Sequence, residues 1–232
     1  MPLTSSTYVR LSRLRFPFAV RVQAEQGSAC LRDANGRREV RPGDPFIVPA
    51  FAHFGCDLPG TPWQPITITL AAVPDASCPR MAAIHHDKPW SRTLANLVFE
   101  HPAGVWNAAT LSELWRTGTR QMRARLFAEG EAFNALVREQ RAAQALYALA
   151  SLASLEGSTV PLADTLEITE TLKTLARQSG LQSINALNAT CANLFGIELE
   201  QLMPAYAATS DTTEHAGSAT WTGWDQPLAL RA

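Results

Sequence analysis

The chain has 232 residues, 46% of them hydrophobic and 18% charged, with a formal net charge of −1. This is the composition of a globular protein able to bury a core in one or two domains. It excludes a strongly basic coat but leaves room for a local basic footprint. Cys30, Cys56, Cys78 and Cys191 form no CxxC pair and no metal-ligand spacing, so they read as reduced packing residues of a cytoplasmic protein.

Near the start, Arg10, Arg13 and Arg15 are followed by only a short apolar run, Phe16 to Val20, ended by Arg21. That run is too brief for a signal-peptide core. No window approaches the roughly 18 apolar residues of a membrane span, so no membrane partner is expected.

Residues 16–73 carry short apolar or alternating runs (FAVRVQA, SACLRD, PFIVPAF, PITITLAAV) bounded by turn residues, the pattern of a small antiparallel barrel or sandwich. Asn35-Gly36 is a two-residue hairpin signal because both residues tolerate positive φ. Pro42-Gly43-Asp44 marks a second turn, and the segment around Pro59 a loop. The stretch GRREVRPGDPFIVPAFAHF resembles the cupin-like sensor domains that precede many bacterial regulators. The second cupin motif has a Gly, then Pro, a second Gly and a metal-binding His. Gly43 and Pro49 match, Phe51 replaces the second Gly and Phe54 replaces the His. The His and Glu of the first cupin motif are missing as well. No metal, cofactor or catalytic residue is expected. His53 with Cys56, or His85-His86-Asp87 with His101, could be drawn as a metal site. Adjacent histidines diverge, however, and loops carry exposed histidines routinely.

Residues 74–105 begin as a proline-bearing loop, and Ser91 to Phe99 read as an amphipathic helix with Leu94, Leu97 and Val98 on one side. It could link two domains or serve in dimerisation. From Trp106 to Leu149 the chain has the layout of a helix-turn-helix unit. Leu111, Leu114 and Trp115 stripe the first helix. Thr110 and Glu113 form a candidate capping box, and Arg116–Gly118 make the turn. In the second helix Met122 and Leu126 face the core. Arg116, Thr119, Arg120, Gln121, Arg123 and Arg125 are left as side chains able to reach phosphates and base edges. On charge pattern alone, an arginine-bearing solvated helix of an all-α protein reads equally well.

The same stretch resembles, without a gap, the first helix-turn-helix of AraC-type transcription regulators. The family's leading Trp is Trp106, and its aliphatic–Ala pair is Leu111-Ser112. Its core Leu is Trp115, and the Ser that starts the recognition helix is Gly118. The run Met122 to Leu126, the break Glu129-Gly130, Phe133, Arg141 and Ala145-Leu146 continue the match. A second, weaker copy follows in Leu172, Leu175-Ala176, Gly180-Leu181, Ser183, Leu187, Phe195-Gly196-Ile197 and Leu202. There the family's basic positions hold Ala189, Ala192 and Asn193. Residues 165–206 carry only Lys173 and Arg177 against Glu167, Glu170, Glu198 and Glu200. Gln182, Ser183, Asn185 and Asn188 offer neutral contacts. The connection between the copies is longer than usual, with Gly157 and Pro161 interrupting it.

The resemblance implies an α+β protein of two domains. A small cupin-like antiparallel β domain (1–80) for sensing or dimerisation is followed by a linker helix (81–105). An all-α tandem helix-turn-helix domain (106–206) comes next, then a disordered tail (207–232) carrying Trp221 and Trp224. It implies a regulator that binds double-stranded promoter DNA mainly through the first unit and recruits RNA polymerase. A small-molecule or protein effector at the β domain and a homodimer are further expectations. The alternative is a diverged member with weak or no DNA binding that acts as a protein-interaction partner or anti-regulator.

Overall fold

In the computed structural model, residues 2–74, 77–78, 88–155 and 165–202 are described. His85-His86-Asp87 and the expected tail with Trp221 and Trp224 lie outside the described residues. Eight strands come first: β1 (Pro2–Ser5), β2 (Tyr8–Leu14), β3 (Ala19–Gln26), β4 (Ala29–Asp33), β5 (Gly36–Val40), β6 (Phe46–Val48), β7 (Phe54–Pro59) and β8 (Ile66–Val73). They form two four-stranded sheets, ordered β1-β8-β3-β6 and β2-β7-β4-β5, with antiparallel pairing. In β2 and β3, buried Val9, Leu11, Val20 and Val22 alternate with exposed Arg10 and Arg21, as a sheet with one face on the core requires.

Two local expectations change. Asp33 pairs with Gly36, so the hairpin loop is Ala34-Asn35, one residue earlier than Asn35-Gly36. Of the expected pair, Gly36 alone takes positive φ (138°). Asn35 instead donates its backbone N–H to Asp33 Oδ1 at 2.8 Å, which closes the turn without a left-handed Asn. The second is Phe51, which fills the position of a cupin glycine and keeps the left-handed backbone that glycine would take, φ 62°. For an L-residue that costs on the order of 1 kcal/mol. The Phe51 ring offsets it by packing into the helical core, beneath the Arg15 guanidinium at 4.3 Å.

Among the described residues seven helices follow: α1 (Pro89–Glu100), α2 (Ala108–Leu114), α3 (Thr119–Ala128), α4 (Phe133–Leu155), α5 (Thr165–Gln178), α6 (Ile184–Phe195) and α7 (Leu199–Leu202). They divide between two cores. Leu94, Ala95 and Val98 of α1 pack with Leu111, Met122, Leu126, Leu136 and Val137. The expected linker helix is therefore part of the first helix-turn-helix unit's own core. Leu172, Leu175, Leu187, Cys191 and Phe195 of α5 and α6 join the interior of the sandwich, together with Ala142 to Leu149 of α4. The α5–α6 pair has no core apart from that of the sandwich. One terminal strand of each sheet is covered by helices, β1 by α4 and α7 and β2 by α6. Covered in this way, β1 and β2 offer no unpaired template to another chain. Phe16 and Phe18 meet Phe99 of α1 and Tyr147 of α4 with ring centroids 5.2–6.1 Å apart, tying sandwich to helices.

Between sandwich and helices lies a buried ion network. Arg15 donates from Nε to Glu139 Oε1 and from Nη1 to Glu131 Oε1, both at 2.7 Å. Lys88 reaches Glu131 at 2.9 Å, and His53 lies 3.3 Å from Glu139. His53 is thus placed against Glu139, while Cys56 is a packed thiol that burial pushes up to about 12. Burial opposes ionisation of both carboxylates. Hydrogen bonds from Arg15 and Lys88 to Glu131, and from His53 and Arg15 to Glu139, outweigh it and hold both below the usual carboxylate range.

Arg15→Met leaves two buried carboxylates short of their main cation and should cost about 3–5 kcal/mol, read from urea unfolding at neutral pH. A carboxylate whose folded pKa is depressed adds stability above its unfolded value, lost as pH falls through the folded one. Wild-type stability should therefore decline below about pH 4.5, and the deficit of Arg15→Met should shrink as pH falls, because burial without the guanidinium favours the protonated carboxyls.

Candidate nucleic-acid interface

The first unit starts at Asn107, whose side chain accepts from the Thr110 backbone N–H at 2.9 Å. Asn107 is the cap, not Thr110 with Glu113: an Asn immediately before the first helical residue reaches the free amides of the first turn without distortion. Leu111 is fully buried, whereas Leu114 is 58% exposed and leaves the expected apolar stripe. The stripe is completed by Ser112, whose hydroxyl donates to the Ala108 carbonyl at 2.6 Å and lies 3.0 Å from the Thr119 hydroxyl. Trp115 stacks edge-on with Trp90 of α1, centroids 4.9 Å apart. The turn places Arg116 at φ 50°, a left-handed position that favours glycine. Gly118 caps α3 with extended backbone and no side-chain bond.

Met122 and Leu126 bury one side of α3, and the candidate contact residues project from the rest, all exposed. They are not equivalent. Thr119 is tied to Ser112, and Gln121 Oε1 accepts from Thr117 Oγ1 at 3.0 Å. Arg125 is drawn back over the Trp90 ring at 4.4 Å, beside a cleft of about 300 Å3 lined by Pro89, Trp90, Thr93 and Trp115. Arg120 and Arg123 make no ion pair among the described residues, and Arg116 stands exposed in the turn beside them. The sequence reading missed Ala124 and Phe127. A 100° step per residue puts them between and beside the two arginines on the free face, with Phe127 81% exposed.

Glu129 closes the unit. Its carboxylate accepts from the Trp90 and Ser91 backbone N–H groups and the Ser91 hydroxyl at 2.6–3.0 Å, so the end of α3 caps the start of α1. An anion at a helix N-terminus also favours the macrodipole. Arg141 of α4 donates to the carbonyls of Pro102 and Gly104 at 2.8 and 2.9 Å. Gly180 (φ 69°), in the α5–α6 turn, lies so close that an added Cβ would collide with the Pro102 carbonyl and Arg141. This contact joins the two helix pairs.

In the second unit Ser183 caps α6, accepting from the Ala186 N–H at 3.1 Å. Gln182 and Asn185 are exposed. Asn188 turns inward, its Oδ1 accepting from the Leu199 N–H at 2.9 Å, which makes it an anchor for α7. A groove of about 470 Å3 gathers Gln182, Ser183, Ile184 and Asn185 with Lys173, Arg177 and Glu170. Both basic residues of this unit therefore stand at the same groove as its neutral candidates. Lys173 is bonded to Glu170 at 2.6 Å.

Neither a family model nor a curated protein matches the chain. Solved structures do. A crystal structure of ToxT from Vibrio cholerae O395 superposes with a TM-score of 0.53 and 13% identity, over 87% of this chain and 96% of ToxT. A structure of unsaturated fatty acid bound wild-type ToxT from strain SCE256 gives a TM-score of 0.52 and 11% identity, over 88% and 95%. ToxT is an AraC-family regulator with an N-terminal cupin-like domain. The chain has the fold of ToxT. A β region followed by helices is common to both, at an identity too low to carry individual residues across. No helix among the described residues is long and apolar enough to cross a membrane.

Arg116→Gly should raise stability by up to about 1 kcal/mol by relieving the left-handed position, read from thermal unfolding. Asn188→Ala should lose about 1 kcal/mol through the unmet Leu199 N–H.

Proposed function

We propose that this protein is a transcription regulator that binds double-stranded promoter DNA, with α3 of the first helix-turn-helix as its main contact. The observation that carries this reading is the pair Arg120 and Arg123. Two guanidiniums without an ion-pair partner among the described residues stand on one free face of a helix whose opposite side is locked by Met122 and Leu126. Arg116 extends the footprint to the turn. Arg125, held on Trp90, acts at its margin. Thr119 and Gln121 set the turn and offer their remaining hydrogen-bonding capacity to base edges. Gln182, Ser183 and Asn185 provide neutral contacts in the second unit.

Recruitment of RNA polymerase and pairing of two copies on adjacent half-sites belong to the same reading. So does an effector acting through the sandwich. One ToxT structure holds an unsaturated fatty acid, and a ligand of that class is the first to try with this chain. The buried network of Arg15, Glu131 and Glu139 gives such an effector a rigid path to the reader.

A diverged member acting on proteins instead is the second reading, and the Glu170–Lys173 pair, which offsets one of the two cations at the second groove, favours it. Titration with salt on duplex DNA separates the two. Each phosphate contact adds about 0.9 to the slope of log affinity against log salt, so Arg120→Ala with Arg123→Ala should reduce that slope by roughly 2. Absence of salt-dependent binding by the wild type at low ionic strength would overturn the regulator reading.

A further inference from the structure

The second helix pair holds few cations, yet its recognition helix ends against a strand that carries two. An added Cβ at Gly196, which closes α6 at φ 72°, would sit 3.6 Å from the Arg10 carbonyl and 4.0 Å from Ser12 Oγ of β2. Strand β2 is the terminal strand of its sheet, and its ladder with β7 slips between Leu11 and Leu14. Inside that bulge Arg13 takes φ 53° and is exposed. A bulge at a sheet edge re-aims a side chain, and a left-handed non-glycine residue is a conformation that must be held by its surroundings. Arg13 enters no ion pair among the described residues. Arg10 is 58% exposed and shares Asp57 with Arg32 and Arg37, so three guanidiniums meet one carboxylate. Glu198, exposed two residues beyond Gly196, pairs with neither arginine.

We infer that β2 of the sandwich lends the second helix-turn-helix unit the phosphate contacts its own helices lack, through Arg10 and Arg13 at the C-terminal end of α6. The charge needed to hold α6 on DNA is supplied from the neighbouring domain, which also explains why α5 and α6 need so few cations of their own. The partner is the sugar-phosphate backbone of the same duplex that α3 engages, one turn further along. This rests on the regulator reading above.

The test uses the full chain and two random-sequence duplexes, one of about 30 bp and one of about 12 bp, which spans little more than a single helical turn. Arg13→Gly removes the charge while relaxing the backbone, so it should fold at least as well as the wild type. On the longer duplex its salt slope should fall by about 1, and Arg10→Ala with Arg13→Gly should lower it by about 2. On the short duplex, engaged by α3 alone, neither should change it. An unchanged slope on the longer duplex, with Arg120→Ala and Arg123→Ala still lowering it, overturns this inference and leaves the regulator reading intact. Equal losses on both duplexes also overturn it, because the arginines would then serve the first unit. A wild type that binds neither duplex overturns both.

Discussion

A guanidinium almost wholly removed from water needs acceptors for its donors and an opposing charge close by, and Arg15 obtains both from the helical half of the protein. Glu131 stands just ahead of α4 and Glu139 within its second turn. Arg15 itself follows β2, with Phe51 from the far side of the sandwich stacked on its other surface. The ion pairs therefore set the angle at which α4 leaves the β domain. Because α4 separates the two helix-turn-helix pairs, that angle positions both. Its net contribution to stability need not be large, since desolvation consumes most of the Coulombic gain. What it provides is a single geometry, as misplacing it would leave several charges buried and unpaired.

Among the described residues three non-glycine residues hold left-handed backbones, and each sits at a junction. Phe51 covers Arg15, Arg116 makes the reader's turn, and Arg13 bulges out of β2 beside α6. Strain of this kind persists only where surrounding contacts over-determine the chain. Phe51 has an evident one, its ring being part of the helical core. For Arg116 and Arg13 the retained side chain is an exposed cation, as the proposed DNA-contacting surface requires.

Much of the architecture was legible along the chain. Alternation in β3 and β8 pointed to the sandwich, whereas β1 and β2 lie ahead of the expected β region and only the structure reveals them. The spacing of Met122 and Leu126 with the break at Glu129-Gly130 marked the first helix-turn-helix unit. The second copy was legible from its apolar positions alone, because a helix core demands apolar volume at fixed spacing whatever its surface carries. Boundaries and caps were less so. Asn107 displaced Thr110, and Ala34-Asn35 displaced Asn35-Gly36, since several nearby polar residues can each satisfy a turn and only the packed register chooses among them. The candidate contacts were named as a group, but the structure distinguishes them. Arg125 is drawn to Trp90 of a different helix, and Asn188 is turned inward by the Leu199 N–H at the start of α7.

The sequence by itself determined the periodic faces, the order of strands before helices, and where positive charge survives among the helices. These depend on residue type at short spacing. Only the tertiary structure decided that α5 and α6 complete the sandwich core, that Glu129 caps α1, and that Arg15 is the buried link between the halves. It also decided that β2 runs past the end of α6, with the Arg10 backbone against Gly196. Those contacts join residues as far apart in the chain as these two, and charge or polarity read along a chain does not reveal which distant partner will satisfy it.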